Sequence, residues 1–456
     1  MDIMAIVNQI NSILWGPVML FLLVGTGVIF TYKLRFIQIR KLKIAWDQTF
    51  GGLFKKSDKA DADGMSSFQA LTTAIAAQVG TGNLAGVATA VAMGGPGAIF
   101  WMWISGFFGM GTIFAEAVLA QLHTERVDGE ITGGPAYYIK KGLGSKFLAG
   151  FFAVSIILAL GFMGNMVQSS SIAESVLVAF NIPKIVTGFI VALLVGLIVM
   201  GGIGRIASFT ERVVPIMAAF YILGSLIIVL MNYDMILPSL RMIVVGAFNP
   251  MAATGGIIGA SIKEAFRYGI ARGLFSNEAG MGSTPHAHAV AKVKHPAEQG
   301  LVAIMGVVID TGIVCTLTAL VILNTGAFSS GLFGAQLTQE GFIRGFGGFG
   351  STFVAICLFF FALSTIIGWY YFGESNIKFL FGKKGINWYR IIVLVCIVVG
   401  TTMSAEIVWE LADTFNGLMV IPNLVALLGL ASFVVKVVND YEENFTKDKP
   451  STYQNS

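Results

Sequence analysis

Apolar stretches of about 20 residues recur along this chain from residue 13 to residue 436, separated by short polar segments. A helix of that length crosses the hydrocarbon core of a bilayer. The pattern therefore predicts an all-α polytopic membrane protein with about eleven transmembrane helices. We expect these spans at residues 13–31, 66–94, 98–122, 148–180, 184–203, 209–232, 255–291, 297–325, 341–380, 389–406 and 414–436.

The composition supports the same class. Hydrophobic residues make up 55% of the 456 residues and charged residues only 12%, whereas soluble domains carry roughly a quarter charged residues. We expect the lipid bilayer as the main partner and no nucleic acid. The net charge of +4 itself says little about partners, because what matters is where the basic residues lie. The first span is predicted to be retained rather than cleaved as a signal peptide. The tail after Tyr441 is predicted to be disordered.

Basic residues predict the orientation, because cytoplasmic loops carry the excess of Lys and Arg. The loop at 32–64 holds eight of them, so it is predicted to face the cytoplasm, with the N-terminus outside. Each later loop that falls on the same side is also basic, and the loops between are nearly free of basic charge. This places the C-terminus in the cytoplasm of a protein in the cell membrane.

Two spans are interrupted by polar and glycine-rich segments, QVGTGN at 78–83 and NEAGMGS at 277–283. A shift of 200 residues aligns Gly80 with Gly280 and Gly82 with Gly282, and we expect a helix of similar length after each pair. The breaks lie five spans apart, so they enter the membrane from opposite sides. Broken helices in inverted repeats are typical of secondary transporters. We predict repeats at 65–232 and 233–436, preceded by an extra helix and basic loop (1–64) and followed by a tail (437–456).

A helix break within a membrane frees backbone groups that must line a cavity or be buried in protein. N–H groups near Gly82 suit a carboxylate, while carbonyl oxygens between Ala76 and Val79 suit a small cation. Glycines in membrane helices also allow close packing between helices, and close packing is the alternative interpretation of the glycines at the two breaks. For five other glycines, close packing is the role that we predict. These are Gly25, Gly27, Gly106, Gly109 and Gly111.

Further polar residues fall within the predicted spans. Ser364 and Thr365 could complete an oxygen site for Na⁺, or could bond back to their own helix as most membrane hydroxyls do. Asp310 is the deepest ionisable residue, and both an ion- or proton-linked role and a structural role stay open for it. For Glu116 and Glu174 the structural role is favoured. His286 and His288 lack an evident third ligand, and the three cysteines are expected to serve packing.

Four segments resemble the alanine/glycine:cation symporters, also called sodium:alanine symporters, in the order expected for that family. They are GGPGAIFWMWISGFFG (94–109), GGPAYYIKKGLG (133–144), GGIGRIASFTERVVP (201–215) and GLFSNEAGMGSTPHAHA (273–289). The resemblance covers essentially the whole chain. It implies the inverted five-plus-five fold of the neurotransmitter:sodium symporters, within the amino acid–polyamine–organocation superfamily, and a protein that is not an enzyme.

The resemblance also implies the ligands and their sites. The substrate, alanine or glycine, would bind at Gly80, Thr81 and Gly82 with help from Gln78 or Asn83. Phe275, Ser276 and Trp369 would bound its side chain. One Na⁺ would take backbone oxygens of Ala76 and Val79 and the hydroxyls of Ser364 and Thr365.

The function so implied is Na⁺-driven uptake of small neutral amino acids by a monomer. H⁺-coupled symport of another small amino acid or related solute is the alternative, with Asp310 and Glu116 as its candidate carriers. A passive channel would need a continuous polar path, and a membrane enzyme would need a convergent nucleophile or metal set. Neither pattern is evident in the sequence.

Overall fold

A computed structural model describes residues 3–51, 61, 64–249 and 260–453. Lys55, Lys56 and Lys59 of the basic loop, and the first residues of the predicted seventh span, lie outside the described residues.

The described part of the N-terminal half is helical apart from three short strands. Its helices are α1 (Ile3–Leu14), α2 (Pro17–Lys33), α3 (Ile37–Arg40), α4 (Leu42–Phe50), α5 (Ser67–Gln78), α6 (Val87–Gly94), α7 (Gly97–Leu122), α8 (Pro135–Gly142), α9 (Lys146–Ile156), α10 (Asn165–Phe180), α11 (Lys184–Val199), α12 (Gly202–Met231) and α13 (Ile236–Gly246). The strands are β1 (Met65–Ser66), β2 (Glu125–Val127) and β3 (Glu130–Thr132), of which β2 and β3 form an antiparallel hairpin.

The described part of the C-terminal half follows the same pattern. Its helices are α14 (Ile262–Asn277), α15 (Pro285–Ala289), α16 (Pro296–Val307), α17 (Thr316–Asn324), α18 (Gly334–Phe346), α19 (Phe349–Phe381), α20 (Ile386–Gly400), α21 (Ala405–Gly429) and α22 (Ala431–Glu443), with strand β4 (Ala291–Lys292) after α15. Three π-helical stretches, Gly82–Gly86, Ile157–Gly164 and Val308–Cys315, continue into or join neighbouring helices. π-helical turns often occur at functional sites.

Seven helical segments among the described residues are long and apolar enough to cross a membrane, and a bent pair, Ser67–Gln78 with Gly82–Gly94, makes eight. The helical, multi-span membrane architecture is therefore confirmed. The count of eleven stays a prediction. α11 is shorter than the segments that could cross a membrane, and α19 and α20 together form one long apolar segment, Phe349–Gly400.

Three predicted segments have different bounds in the structure. The span predicted at 341–380 is two helices, since the chain turns at Gly347, where φ is +64°. The span predicted at 414–436 ends at Gly429, and a separate helix, α22, follows it. The tail predicted to be disordered after Tyr441 continues as helix to Glu443 and folds back as far as Tyr453. Backbone N–H groups of Thr452 and Tyr453 donate to Asp440 there.

The two broken helices run in opposite directions. β1, directly before α5, pairs with β4, directly after α15. The start of the first broken helix therefore lies beside the end of the second. At the other end, a Cβ on Gly94, the last residue of α6, would lie 3.2 Å from the Cα of Ala265 in α14. The ends of the predicted repeats stay a prediction.

Small residues allow α7 to pack closely on its neighbours. A Cβ on Gly109 would lie 2.9 Å from the Cβ of Ala279, and one on Gly27 would lie 2.7 Å from the carbonyl oxygen of Phe108. Gly106 and Gly111 are similarly confined, so the packing interpretation is confirmed for these four. At Gly25 a Cβ would have no neighbour within 4 Å, so the packing prediction is wrong there.

Candidate functional site

The first break lies between Gln78 and Gly82, where the sequence predicts it. α5 ends at Gln78, Val79 is extended (φ −83°, ψ 91°), and helical structure resumes at Gly82. Two N–H groups freed by the break already have side-chain partners. Gly80 N donates to Asn83 Oδ1 at 2.8 Å, and Thr81 N donates to Gln168 Oε1 at 3.2 Å.

The second break follows Asn277 at the end of α14. Glu278 takes a left-handed conformation (φ +58°), as do Gly280 (φ +90°) and Gly282 (φ +81°). Glycine adopts this conformation at little cost, whereas other residues are strained there. The helix after the break, α15, has only five residues, whereas helical structure after the first break runs from Gly82 to Gly94. The prediction that helices of similar length follow the two pairs of glycines is therefore wrong.

Asp310 links the two breaks. It lies fully buried in the π-helical stretch Val308–Cys315. Its Oδ1 accepts hydrogen bonds from Asn83 Nδ2 at 2.5 Å and from Ser276 Oγ at 2.9 Å, while Thr311 Oγ1 donates to Oδ2 at 2.8 Å. Asn83 belongs to the first broken helix and Ser276 to the second. One carboxylate thus holds both broken helices together through neutral donors.

An oxygen cluster lies where α19 crosses the end of α5. Thr365 Oγ1 is 3.0 Å from the carbonyl oxygen of Ala76 and 3.4 Å from that of Val79. Ser364 Oγ is 3.4 Å from the same Ala76 oxygen. Both hydroxyls also donate to the carbonyl of Phe361 in their own helix. The contacts to Ala76 and Val79 are consistent with a Na⁺ site, and those to Phe361 are consistent with bonding back to the same helix. Hydroxyl and carbonyl oxygens are ligands suited to a hard cation.

The remaining predicted substrate residues surround the first break to different extents. A Cβ on Gly82 would lie 3.1 Å from the Cα of Ser276 and 3.3 Å from a ring carbon of Phe275, so these three are neighbours. The Phe275 and Trp369 rings meet edge to face with centroids 6.0 Å apart. Gln78 Nε2 instead donates to the carbonyl of Asn277 at 2.7 Å and ties one break to the other.

Two site residues were not found from the sequence. Gln168, in α10, accepts from the N–H of Thr81 through Oε1, and its Nε2 is buried without a partner in the described structure. Glu278 is fully buried and accepts from Trp369 Nε1 at 2.5 Å and from Ser283 Oγ at 2.6 Å. Gln168 gave a weak signal as an amide within an apolar span. Glu278 gave a stronger one, since a carboxylate stands just before the glycines of the second break.

Glu116 stabilises the second break. Its carboxylate accepts from the N–H groups of Gly280 and Gly282, at 3.1 and 3.0 Å, and from Asn423 Nδ2 at 2.7 Å. These are backbone donors that the break would otherwise leave unpaired in the protein interior. The contacts support the structural role favoured for this residue.

His286 and His288 have separate partners. His286 contacts Asn376 through Nε2 at 2.8 Å and His288 contacts Gln299 through Nδ1 at 2.7 Å. Among the described residues, no group of three or more His, Cys, Asp or Glu side chains could hold a metal ion.

Comparison with known proteins identifies the family of this site. The family model described as the sodium:alanine symporter family matches residues 1–455. The chain belongs to the sodium:alanine symporter family. Because this is a family of membrane transporters, the protein is a transporter and not an enzyme.

Relatives of this symporter-family chain are similar over nearly their whole length. The chain is 45% identical over 460 residues to the sodium/alanine symporter AgcS of Methanococcus maripaludis, covering 98% of this chain and 100% of the relative. It is 40% identical to the amino-acid carrier protein AlsT of Bacillus subtilis, covering 96% and 92% of the two chains.

Solved structures show the fold of this family member. The crystal structure of MhsT in complex with L-phenylalanine superposes with a TM-score of 0.56 at 12% identity, over 84% of this chain and 98% of that one. A manganese transporter of Eremococcus coleocola has a TM-score of 0.51 at 16% identity, over 82% of this chain and 78% of that one. The predicted likeness to the neurotransmitter:sodium symporter fold is supported at this level.

Proposed function

We propose that this member of the sodium:alanine symporter family takes up small neutral amino acids, alanine and glycine, together with Na⁺. The observation that carries the proposal is the oxygen cluster of Ala76, Val79, Ser364 and Thr365. It joins the carbonyl end of a broken helix to a neighbouring helix, α19, and contains no charged side chain. The relative from Methanococcus maripaludis is named a sodium/alanine symporter, which supports both the ion and the substrate.

In this proposal the amino acid lies against the first break. Its carboxylate meets the N–H of Gly82, the Thr81 hydroxyl and Gln168 Nε2, the last two being buried groups without partners in the described structure. The N–H of Gly80 is already taken by Asn83, so Gly80 contributes only if Asn83 turns away. Phe275 and Trp369, whose rings are in contact, would bound the side chain of the amino acid.

Coupling would come from shared occupancy of one broken helix. A cation bound at Ala76 and Val79 holds the break in the shape that presents N–H groups to the carboxylate. Each ligand therefore raises the affinity of the other, because such coupling is reciprocal. Alternating access then follows from movement of the broken helices against the rest of the bundle.

We further propose eleven spans in a monomer, with the N-terminus outside and the C-terminus in the cytoplasm. Splitting Phe349–Gly400 into α19 and α20, and adding α11 and the broken pair α14 and α15, brings the eight apolar segments to eleven.

The ion site is tested with a matched pair of variants. Thr365→Val keeps the shape of the side chain but removes the hydroxyl, whereas Thr365→Ser keeps the hydroxyl. We expect Thr365→Val to raise the Na⁺ concentration for half-maximal alanine uptake about tenfold or more, since a contact to a charged group contributes about 1.5–3 kcal/mol. Thr365→Ser should stay close to wild type. Equal Na⁺ dependence in both variants would contradict the assignment.

H⁺ coupling is the second candidate, and Asp310 is the observation that favours it. This carboxylate is fully buried between the two broken helices, and the donors that it accepts from in the described structure, Asn83, Ser276 and Thr311, are neutral. Alanine uptake driven by a pH gradient in the absence of Na⁺, and lost in Asp310→Asn, would support it over Na⁺ coupling.

A further inference from the structure

Glu278 stands at a position where the backbone conformation favours glycine. It directly follows α14, and its φ of +58° lies in the left-handed region. Helices often end at such a residue, which is usually glycine, because a side chain is strained there. Gly280 and Gly282, two and four residues later, also have positive φ. A glutamate held in this conformation indicates that its side chain has a role that glycine could not fulfil.

Both carboxylate oxygens of Glu278 are hydrogen-bonded in the protein interior. Oε1 accepts from Trp369 Nε1 at 2.5 Å, and Oε2 accepts from Ser283 Oγ at 2.6 Å. Glu278 and Ser283 are fully buried, and Trp369 is 1% exposed. The indole N–H is a donor only, so a buried tryptophan needs an acceptor such as this one. Glu278 therefore ties the Trp369 ring to the second break.

We propose that Glu278 sets the size limit of the proposed amino-acid site, because it fixes the Trp369 indole where that ring disfavours side chains larger than that of alanine. Glu278 is thus a positioning residue, which acts through Trp369 rather than by contact with the substrate. The proposal rests on the proposed function, in which Trp369 and Phe275 bound the side chain of the amino acid.

Packing restricts the body of the indole on two further sides. A Cβ on Gly164, the last residue of the π-helical stretch Ile157–Gly164, would lie 2.6 Å from Cζ3 of Trp369, so the ring lies directly on the backbone there. The ring also meets Phe275 edge to face, an arrangement that aromatic pairs prefer. The hydrogen bond to Glu278 adds a directional restraint, because it requires the N–H edge of the ring to face the second break.

The fixed ring lies close to both proposed ligands. Phe275, which it contacts, has a ring carbon 3.3 Å from the position that a Cβ on Gly82 would take at the first break. Trp369 also follows Thr365 by one turn of α19, so it lies on the same face of the helix as the oxygen cluster. A displaced indole would therefore change the space beside the first break.

Glu116 offers a comparison within the same break. It is also a fully buried carboxylate, but it accepts from the N–H groups of Gly280 and Gly282 and from the amide of Asn423. None of these three partners bounds the proposed substrate side chain. Replacement of Glu116 should therefore affect stability and leave the choice of substrate unchanged.

The experiment measures selectivity. Proteoliposomes take up labelled alanine under an inward Na⁺ gradient, while unlabelled alanine or leucine competes. The readout is the leucine concentration that halves uptake, divided by the alanine concentration that does so. Glu278→Gly suits the left-handed backbone but removes the acceptor. We expect it to lower this ratio about tenfold or more, because the indole can then turn and admit the larger side chain.

Three further variants identify the feature of Glu278 that matters. Glu278→Gln retains an oxygen that can accept from Trp369, so the ratio should stay within about threefold of wild type. Trp369→Phe keeps an aromatic ring but removes the donor, and should lower the ratio as Glu278→Gly does. The two changes combined should lower it by less than the product of their separate effects, because they remove the same contact. Glu116→Gln should leave the ratio unchanged.

Several results would overturn the role of Glu278 and leave the proposed function intact. They are an unchanged ratio in Glu278→Gly, the same fall in Glu278→Gln or Glu116→Gln as in Glu278→Gly, and leucine that competes as well as alanine in the wild type. If Glu278→Gly does not fold, an unchanged ratio in Trp369→Phe overturns it. A wild type that takes up no alanine under the gradient would overturn the proposed function, and the role of Glu278 with it.

Discussion

At the scale of single residues, Asp310 is the side chain on which both broken helices depend. Its Oδ1 accepts from Asn83 and from Ser276, which lie more than 190 residues apart in sequence. A side chain that keeps this acceptor should preserve the geometry of the two breaks, whatever its charge.

Two substitutions of Asp310 distinguish the role of its oxygen as a hydrogen-bond acceptor from the role of its negative charge. Asp310→Asn retains an oxygen that can accept from both donors, so we expect Na⁺-driven alanine uptake to continue within about tenfold of wild type. Asp310→Ala leaves both donors buried without an acceptor, which costs about 1–3 kcal/mol of stability for each donor. Uptake should therefore be lost. Initial rates in proteoliposomes with matched protein content measure this. Loss of uptake in Asp310→Asn as well would show that the charge itself is required.

Glu116 should matter for stability more than for transport chemistry. Glu116→Ala would leave the N–H groups of Gly280 and Gly282 unpaired in the interior. We expect it to lower the free energy of unfolding by about 2–5 kcal/mol, seen as a lower melting temperature of the detergent-purified protein. Glu116→Gln keeps one acceptor oxygen and should fall between alanine and wild type. A melting temperature for Glu116→Ala equal to that of wild type would contradict this role.

At the scale of elements, the first break depends on the close approach of α19. A Cβ on Gly80 would collide with Thr365 Oγ1 and lie 3.2 Å from Gln168 Oε1, whereas one on Gly86 would have its nearest neighbour at 4.0 Å. We therefore expect Gly80→Ala to reduce apparent Na⁺ affinity and uptake about tenfold or more. Gly86→Ala, a few residues along the same broken helix, should transport normally. Equal activity of the two variants would contradict the account of this break.

The tail at residues 444–453 folds back onto Asp440, and this contact should depend on pH. Burial raises the pKa of Asp440, but hydrogen bonds from Ser451, Asn444 and the N–H groups of Thr452 and Tyr453 outweigh it and lower the pKa to about 2. A carboxyl with a lowered pKa stabilises the folded form above its ordinary pKa of about 3.9. This contribution is lost as the pH falls from about 4 to about 2.

Hydrogen exchange measures that docking. We expect residues 444–453 to be protected at pH 7 and to lose protection below about pH 4, after correction for intrinsic rates. Asp440→Asn should expose the same segment already at pH 7. Protection of this segment that is equal in the variant and the wild type would contradict the assignment.

The sequence predicts the breaks better than their surroundings, for a physical reason. Gly80, Gly82 and Asn83 stand out because a regular membrane helix does not favour them, and this signal is local. The partners of a break are tertiary. Gln168 and Glu278 were not found because their roles depend on Thr81 and Trp369, 87 and 91 residues away.

Element bounds show the same limit. The chain reverses at Gly347 within a run of glycine and phenylalanine, so hydropathy alone joins α18 to α19. The polar composition of the tail predicts disorder, yet Ser451 and the N–H of Thr452 both donate to one buried carboxylate, Asp440.

At the scale of the whole molecule, the orientation in the membrane follows from the distribution of Lys and Arg. Single cysteines are introduced at exposed positions of a variant that lacks Cys315, Cys357 and Cys396. We expect a membrane-impermeant maleimide to label position 330 in intact cells, and position 141 only after permeabilisation. The reverse pattern would contradict the proposed topology.

The central claim is that a Na⁺ gradient drives uptake of a small neutral amino acid through the broken helices. The most direct measurement is accumulation of labelled alanine in proteoliposomes with an inward Na⁺ gradient, compared with equal Na⁺ on both sides. We expect accumulation above the external concentration only with the gradient, and none in Gly82→Leu. Uptake that does not depend on the Na⁺ gradient but is driven by a pH gradient would contradict Na⁺ coupling. No accumulation under either gradient would contradict alanine as the substrate.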